Sequence, residues 1–376
     1  MSAHAHARQP FGKLGGKAIC DGPSNYLQGA YQISPVSITV EGANILTRSL
    51  IVFAQGALRS HPYLYAEIEA AQNPDREAGF LAFEKAFEAH VAFAASNIFG
   101  SIFHNVTFGL FASAPRDGAS PRYYRQLYRA ATNFALMADL SVALLGGGLK
   151  TKQRTTARLA DALSELYFVC CLLKRFEDDG RLETERPVFD YAVQKAFHGF
   201  YASMHEAIDN FPILAVRPLL KLCVFPLGNR FRKPKDSLAK TVVRAVLEPG
   251  EVRDRLTRYI FVSHDEHDQT GLLEVAMKKV VEADEADRKL ERAVRAGTVS
   301  RYLGNDWLKE AQDKRILSQD EADLLRYTER LVARVIAVDD FDADAVKPHY
   351  APGDNARAVL EAPPAPPPSA EAHAAE

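Results

Sequence analysis

A glutamate followed by a glycine, just ahead of an apolar helix, is the part of this sequence best suited to chemistry. Glu41 and Gly42 come after a short extended stretch, Ser37–Val40, and Asn44 stands where it can cap a helix over 44–58. A carboxylate at such a bend can act as a base towards a bound substrate. It can also serve only the fold, by favouring the positive end of the helix while the glycine eases the turn. The residues alone leave both interpretations open.

Several short motifs around this bend resemble one enzyme family. They are Gly15–Lys17 (GGK), Val40–Arg48 (VEGANILTR), Gln55–Tyr63 (QGALRSHPY) and Val338–Asp342 (VDDFD). Together they resemble the bacterial long-chain fatty acyl-CoA dehydrogenases. The resemblance implies α,β-dehydrogenation of a long-chain acyl-CoA to a trans-2-enoyl-CoA in fatty-acid β-oxidation, with FAD as cofactor.

In that family the glutamate at the bend is the catalytic base, and Glu41 is the residue that matches it. The reaction removes a proton from the carbon beside a thioester carbonyl, while the next carbon gives a hydride to the flavin. A buried carboxylate suits this step, because burial raises the pKa of a carboxylic acid and makes it a stronger base. The family stabilises the charge that develops on the thioester oxygen with the backbone N–H at the glutamate and a flavin hydroxyl.

The resemblance also assigns residues to cofactor and substrate. Those matched to FAD binding are Gly15, Gly16, Ala43 and Asn44, and those matched to substrate binding are Gly42 and Arg48. Ala43 stands where many relatives have a flavin-contacting threonine, and Asn44 either replaces that contact or only caps the helix. A structural ion pair is an open alternative for Arg48, and an ordinary loop is one for the paired glycines.

The resemblance also predicts a domain organisation. The family binds flavin and thioester between an N-terminal helical domain, a middle β domain and C-terminal helices. Residues 12–62 match the end of those helices, and 63–345 match an extra helical domain of bacterial members. We therefore expect a truncated or split form, with a disordered N-terminus over 1–11 and a disordered Pro/Ala-rich tail over 346–376.

The expected partners follow from this organisation. They are a long-chain acyl-CoA, an electron-transfer acceptor, and either a second copy of the chain or a separate dehydrogenase fragment. The alternative function, from another class, is a non-catalytic helical module that docks to a partner protein or to a membrane.

Apolar residues recur at spacings of three and four along most of the chain, which indicates helices rather than strands. The predicted helices lie near 44–58, 76–99, 121–145, 159–174, 186–209, 236–247, 271–295 and 319–337. Ser-x-x-Glu signatures predict helix starts at Ser263 and Ser318. The fold class is therefore mainly α: a helical bundle that ends the dehydrogenase C-terminal domain, an additional all-helical domain, and a disordered tail.

One long segment, 89–115, contains no Asp, Glu, Lys or Arg. A buried helix pair is the preferred interpretation, because His90, Asn97 and Asn105 would be costly in lipid. A membrane-facing hairpin and a membrane span remain alternatives. The apolar stripe of Phe83, Phe87, Val91 and Ala94–Ala95 is expected to pack in the core rather than to line a fatty-chain tunnel.

The overall composition excludes several classes of function. The 376 residues are 47% apolar and 25% charged, with a formal net charge of -2, which is typical of a soluble globular protein and gives no basic field for nucleic acid. Four cysteines are too few for a disulfide framework or a zinc site, and the adjacent residues His264–Asp268 cannot converge on one ion, so no metal is expected. The first residues contain no apolar segment of the kind that a secretory signal peptide needs. The expected location is therefore the cytoplasm, with peripheral contact at the inner membrane left open.

Overall fold

All regular secondary structure in the described part of the chain is helical. The computed structural model describes residues 32–33, 35–36, 47–115, 120–300 and 306–337, and no strand occurs within these ranges. This confirms the mainly α fold class. The predicted stretch Ser37–Val40, the N-terminus 1–11 and the tail 346–376 lie outside the described residues.

The first half of the fold contains the longest helices. Thr47–Gln55 has π-helical hydrogen bonding and runs directly into α1 (Gly56–Ser60), and we call Thr47–Ser60 the entry helix. The next helices are α2 (Leu64–Ala71), α3 (Arg76–Val106), α4 (Pro121–Leu145), α5 (Gln153–Asp178) and α6 (Arg186–Asp209). The boundaries of α4 and α6 coincide with the predicted ones.

Shorter helices dominate the second half. They are α7 (Arg217–Val224), α8 (Asp236–Leu247), α9 (Glu251–Thr257), α10 (Gln269–Arg295), α11 (Trp307–Asp313) and α12 (Gln319–Ile336). Short 3₁₀ turns at Gly146–Lys150 and Leu214–Val216 join neighbouring helices.

Side-chain caps explain where several of these helices begin. The Ser318 hydroxyl accepts the backbone N–H of Glu321, and the Glu321 carboxylate accepts the backbone N–H of Ser318, which confirms the capping box predicted for α12. The box predicted at Ser263 is wrong. Helix α10 begins five residues later, because the Asp268 carboxylate accepts the backbone N–H of Gly271 at 2.8 Å and takes the cap position.

One large core lies between the entry helix and α3 to α7. Its largest fully buried side chains include Phe53, Leu136, Leu159, Phe200, Tyr201, Met204 and Leu220. A smaller core joins α10, α11 and α12 around Leu290, Leu308 and Leu325. Phe53 of the entry helix therefore shares its core with residues of the helices that follow it. The proposed boundary at 62/63 stays a prediction.

The charge-free segment 89–115 differs from its predicted form. It is not a helix pair, because α3 continues unbroken through Gly100 to Val106 and turns only at Phe108 and Gly109, both of which have positive φ. Its inner face carries polar groups. Its outer face is exposed, and Phe99 retains 73% of its accessible surface. The upstream stripe is also not core, since Phe87 and Val91 are half exposed.

Candidate functional site

The residues matched to the catalytic base and to the flavin lie just before the described part of the chain. Gly15, Gly16, Glu41, Gly42, Ala43 and Asn44 all lie outside the described residues. Their roles stay predictions. What the structure does describe is the entry helix, which begins six residues after Glu41, and the groups that hold it.

The entry helix is fixed to α5 and α4 by contacts on its inner side. Phe53 is 1% exposed and meets the ring of Phe134 edge to face, with 6.3 Å between centroids. The Ser49 hydroxyl, also buried, donates to the backbone carbonyl of Gln153 at 3.4 Å. These two contacts anchor the entry helix against α4 and α5.

Arg48 is part of the same attachment. Its guanidinium lies 3.4 Å from a carboxylate oxygen of Asp161 on α5, and its Nε is buried without a hydrogen-bond partner. The ion pair is the alternative that the sequence left open for this residue. The predicted substrate contact stays a prediction, since the Arg48 side chain remains about one-third exposed.

The entry helix ends at a group of four titratable side chains, which we call the histidine–carboxylate cluster: the partly buried His61 and His90, and the buried Glu67 and Asp139. The Asp139 Oδ1 atom lies 2.8 Å from His61 Nε2 and 3.0 Å from His90 Nε2. The other ring nitrogen of His90, Nδ1, lies 2.7 Å from Glu67 Oε1. His61, which follows the entry helix, and His90 of α3 therefore meet at one buried aspartate of α4, which is 3% exposed, and Glu67 of α2 joins the group through His90.

The partners of each ring nitrogen fix where the protons lie. The backbone N–H groups of Tyr63 and Leu64 donate to His61 Nδ1 at 3.2 and 3.1 Å, so this ring carries its proton on Nε2 and donates it to Asp139. Both nitrogens of His90 face carboxylate oxygens, which only accept hydrogen bonds. His90 therefore satisfies both partners only as the doubly protonated imidazolium.

The electrostatics of the cluster favour that charge. Burial lowers the pKa of His90, but the hydrogen bonds to Asp139 and Glu67 outweigh it, and the net pKa is raised above its ordinary value of 6.5. Aromatic rings enclose the group: the Tyr63 ring stacks against His90 with 5.9 Å between centroids, and Phe93 packs beside Tyr63.

The geometry also permits a test of metal binding. His61 Nε2, His90 Nε2 and Asp139 Oδ1 all lie within 4.8 Å of one another. A histidine that binds a metal through Nε2 normally keeps its proton on Nδ1 and donates it to an acceptor. His61 has the reverse arrangement, because its Nδ1 accepts backbone N–H groups. The cluster is therefore suited to sharing protons rather than to holding a metal ion.

A second buried polar group lies farther along α3 and α4. Ser101, Asn105 and Asn133 hydrogen-bond to one another, and Asn105 Nδ2 donates to the backbone carbonyl of Cys223 on α7 at 2.8 Å. Arg129, which is 7% exposed, donates from Nε to Asn105 Oδ1 at 2.6 Å. This network ties α3, α4 and α7 together.

The outer surface of the same region is apolar. We call it the apolar face, and it comprises Phe99, Phe103, Val106, Leu110 and Phe111, which are between 49% and 73% exposed. The rings of Phe103 and Phe111 lie 5.7 Å apart. At its edge the guanidinium of Arg230 lies 5.1 Å from the Phe108 ring centroid, so the basic run from Arg230 to Lys235 starts beside this surface.

Helix α4 is long and apolar enough to cross a membrane by length and composition, in the segment Pro121–Lys150. Its buried Arg129, Asn133 and Asp139 are all engaged by neighbouring helices. These contacts are those of a helix inside a packed bundle.

Sequence reasoning missed the histidine–carboxylate cluster as a unit. Asp139 is the only acidic residue of α4 and lies in its most apolar stretch, Phe134–Leu145, which is a signal that it needs a partner inside the fold. The sequence does not reveal which of the eleven histidines supplies that partner.

A comparison with family models agrees with the motifs. A model described as acyl-CoA dehydrogenase, C-terminal, bacterial type matches residues 58–341, more than half of the chain. No solved structure matches the chain significantly. The family match confirms the resemblance found in the sequence: the chain belongs to the bacterial-type acyl-CoA dehydrogenase C-terminal domain family.

Proposed function

We propose that this chain provides the C-terminal part of an FAD-dependent acyl-CoA dehydrogenase that acts on long-chain thioesters in fatty-acid β-oxidation. Family membership supports the dehydrogenase class. The observation that supports the proposal for this chain is the entry helix. It begins at the end of the VEGANILTR motif and is anchored by Phe53 and Ser49 against α4 and α5. A base at Glu41 needs such a rigid support, because proton transfer requires the carboxylate within hydrogen-bond reach of the substrate.

In this proposal Glu41 removes the proton from the carbon next to the thioester carbonyl. Its backbone N–H polarises that carbonyl, and Gly42 leaves room for the acyl chain beside the bend. Gly15, Gly16, Ala43 and Asn44 are the residues that would hold FAD, which supplies the hydride acceptor when bound. A separate electron-transfer acceptor then reoxidises the cofactor.

The proposal is tested with the full chain, purified alone and also co-expressed with a fragment that supplies the family's N-terminal helical and β domains. We expect the complex to retain FAD and to reduce an artificial dye when palmitoyl-CoA is added. Glu41→Gln should lower that rate by at least about a hundredfold, because a general base contributes on the order of 10²–10⁴. Glu84→Gln, an exposed change on α3, is the matched control and should keep the rate. Unchanged activity in Glu41→Gln would remove the assignment of the base.

A second function is favoured by the apolar face: docking to the anionic inner surface of the cytoplasmic membrane. Phe99, Phe103 and Phe111 expose aromatic side chains that can enter the lipid headgroup region. Arg230 and the basic residues that follow it are placed to meet anionic headgroups at the edge of that surface. This charge complementarity favours a lipid surface over a second copy of the chain. The proposed location is therefore the cytoplasm, with peripheral contact at the inner membrane.

Flotation with vesicles tests the docking. We expect the chain to float with phosphatidylglycerol-containing vesicles, and Phe99→Ser combined with Phe111→Ser to abolish it. Tyr167→Ser combined with Phe168→Ser, which changes exposed aromatic residues on α5, is the control and should float. Dimerisation through the same face, seen as a mass change that the first variant abolishes without any flotation, would assign the surface to a second copy instead.

A further inference from the structure

In the described part of the chain, the two carboxylates of the histidine–carboxylate cluster form ion pairs only with histidines. Glu67 is 9% exposed and Asp139 is 3% exposed. Within the described ranges, neither forms an ion pair with a lysine or an arginine, and their ion-pair contacts are to His61 and His90 alone. Buried carboxylates are costly unless they are paired. Here the pairing charge can itself be lost in the physiological pH range.

His90 cannot be replaced by another donor inside the cluster. His61 already uses its one ring proton on Asp139, and its other nitrogen is occupied by the N–H groups of Tyr63 and Leu64. Asp139 Oδ2 is buried and has no hydrogen-bond partner. If His90 loses a proton, either Glu67 loses its donor within the cluster or Asp139 keeps only that of His61, and nothing else in the cluster can supply the missing one.

The cluster also joins the segment that follows Glu41 to the rest of the fold. His61 comes directly after the entry helix, and it reaches α4 through Asp139. Glu67 on α2 is joined to α3 through His90. The link from α2 to α3 and α4 thus depends on the two protons of the His90 imidazolium, whereas the His61–Asp139 contact uses the proton of the neutral His61 ring.

We propose that His90 is a proton-dependent positioning residue: its doubly protonated ring joins Glu67 of α2 to Asp139 of α4, and loss of one proton releases one of these two contacts and loosens the segment 61–67 that follows the entry helix. As a device that positions Glu41, it rests on the proposed function; as a structural switch, it does not. The titratable groups that face His90 are Glu67 from α2, Asp139 from α4, and His61 and Tyr63 from the connecting turn.

The direction of the pH dependence follows from the shift in His90. Because its folded-state pKa is raised above the ordinary value of 6.5, the ring contributes stability that is fully present below about 6.5. That contribution is lost as the pH rises through the raised value. The attachment should therefore be closed below about pH 6.5 and should open as the pH rises through the raised pKa of His90.

Nuclear magnetic resonance of the wild-type full chain with ¹⁵N-labelled histidine tests the proton assignment. We expect one ring, assigned to His90 by its loss in His90→Gln, to carry protons on both nitrogens at pH 6.5. A second ring, assigned by His61→Gln, should show the neutral Nε2–H tautomer. A neutral His90 at pH 6.5, or an Nδ1–H tautomer for His61, would overturn the proposal.

Hydrogen exchange at the amides of Tyr63 and Leu64 tests the release, since these N–H groups donate into the cluster. After correction for intrinsic exchange, we expect protection to fall by about tenfold as the pH rises through the His90 titration, and to show no such step in His90→Gln. His205→Gln, which changes an exposed histidine paired with Asp209, should keep the wild-type step.

The same step in wild type and His90→Gln would overturn the proposal. These measurements need neither FAD nor substrate. If dye reduction does not depend on Glu41 but the protection step is normal, the proposed function is rejected and the switch stands. If dye reduction depends on Glu41 but the protection step is absent, only the switch is rejected.

Discussion

The guanidinium of Arg129 lies 5.2 Å from the centroid of the Phe231 ring, inside the fold. The ring of Tyr201 lies at 5.8 Å from the same group, so aromatic faces take the place of a counter-ion. No ion pair to Arg129 occurs among the described residues. Arg129 of α4 also bonds to Asn105 of α3, which in turn bonds to α7. The packing of these three helices therefore depends on the Arg129 side chain.

Replacement of Arg129 by methionine should therefore destabilise the fold. The change removes the cation–π contacts and the hydrogen bond to Asn105, whose Oδ1 then keeps only the amide of Asn133 at 3.2 Å. We expect the free energy of unfolding in urea to fall by about 2 kcal/mol. Arg122→Met, at an exposed position on the same helix, should stay within about 0.5 kcal/mol of wild type. Equal losses in both variants would contradict this account.

Phe53→Ala should detach the entry helix. Phe53 is 1% exposed, so its truncation leaves a cavity at the contact with Phe134, at a cost of about 3 kcal/mol. Amide exchange over 47–60 should rise more than exchange in α5 or α6, and dye reduction by the co-expressed complex should fall with it. Ile51→Ala changes a residue of the same helix that is 50% exposed and is the matched control. Equal exchange in the two variants would show that Phe53 does not anchor the helix.

Tyr201 should limit stability at high pH. Burial raises its pKa from 10.0 to about 12 in the folded state, against smaller opposite effects of Arg129 and Asn133. A raised folded-state pKa means that the stabilising contribution is present below pH 10 and is lost as the pH rises towards 12. Tyr201→Phe should therefore unfold at a higher pH than wild type, followed by circular dichroism.

The control for this titration is Tyr259→Phe, because Tyr259 is 86% exposed. Its alkaline midpoint should equal that of wild type. If Tyr201→Phe unfolds at the same pH as wild type, ionisation of Tyr201 does not contribute to alkaline unfolding.

The capping box of α12 should have a measurable effect on stability. Ser318→Ala removes the hydroxyl that accepts the N–H of Glu321, which typically costs about 1 kcal/mol. Ser237→Ala, in the first turn of α8, removes a hydroxyl that caps no helix and should change the midpoint in urea by much less. A negligible effect of Ser318→Ala would mean that α12 is held by its packing against α10 and α11 and not by its cap.

Helix positions could be predicted from the sequence where a local signal ends them. Pro121 at the first turn and Gly146 after the last turn define α4, since proline fits a helix start and a glycine with positive φ fits its end. The end of α3 was missed because Gly100 weakens a helix without stopping it. Its close approach to Thr132 of α4, where an added Cβ would lie 3.4 Å from a methyl carbon, shows that packing sustains the helix there.

The sequence could not predict which faces are covered. Periodicity places Phe99 and Phe103 on one side of α3, but coverage depends on which helices pack there, and α4 and α7 cover the opposite, polar side. The histidine–carboxylate cluster was missed for a related reason. His61 and Asp139 are 78 positions apart, so only the tertiary fold brings them together. The base and flavin residues lie outside the described ranges, and their assignment depends on the family motifs.

Helix α4 carries both buried polar groups, with Arg129 near its start and Asp139 ten residues further on, about 15 Å along the axis at 1.5 Å per residue. Sliding this helix by a single turn would leave an uncompensated charge at each of two separate places. Hydrophobic packing tolerates such slippage far better than paired charges do. Two polar contacts thus set the register of α4, which makes misaligned bundles costly during folding.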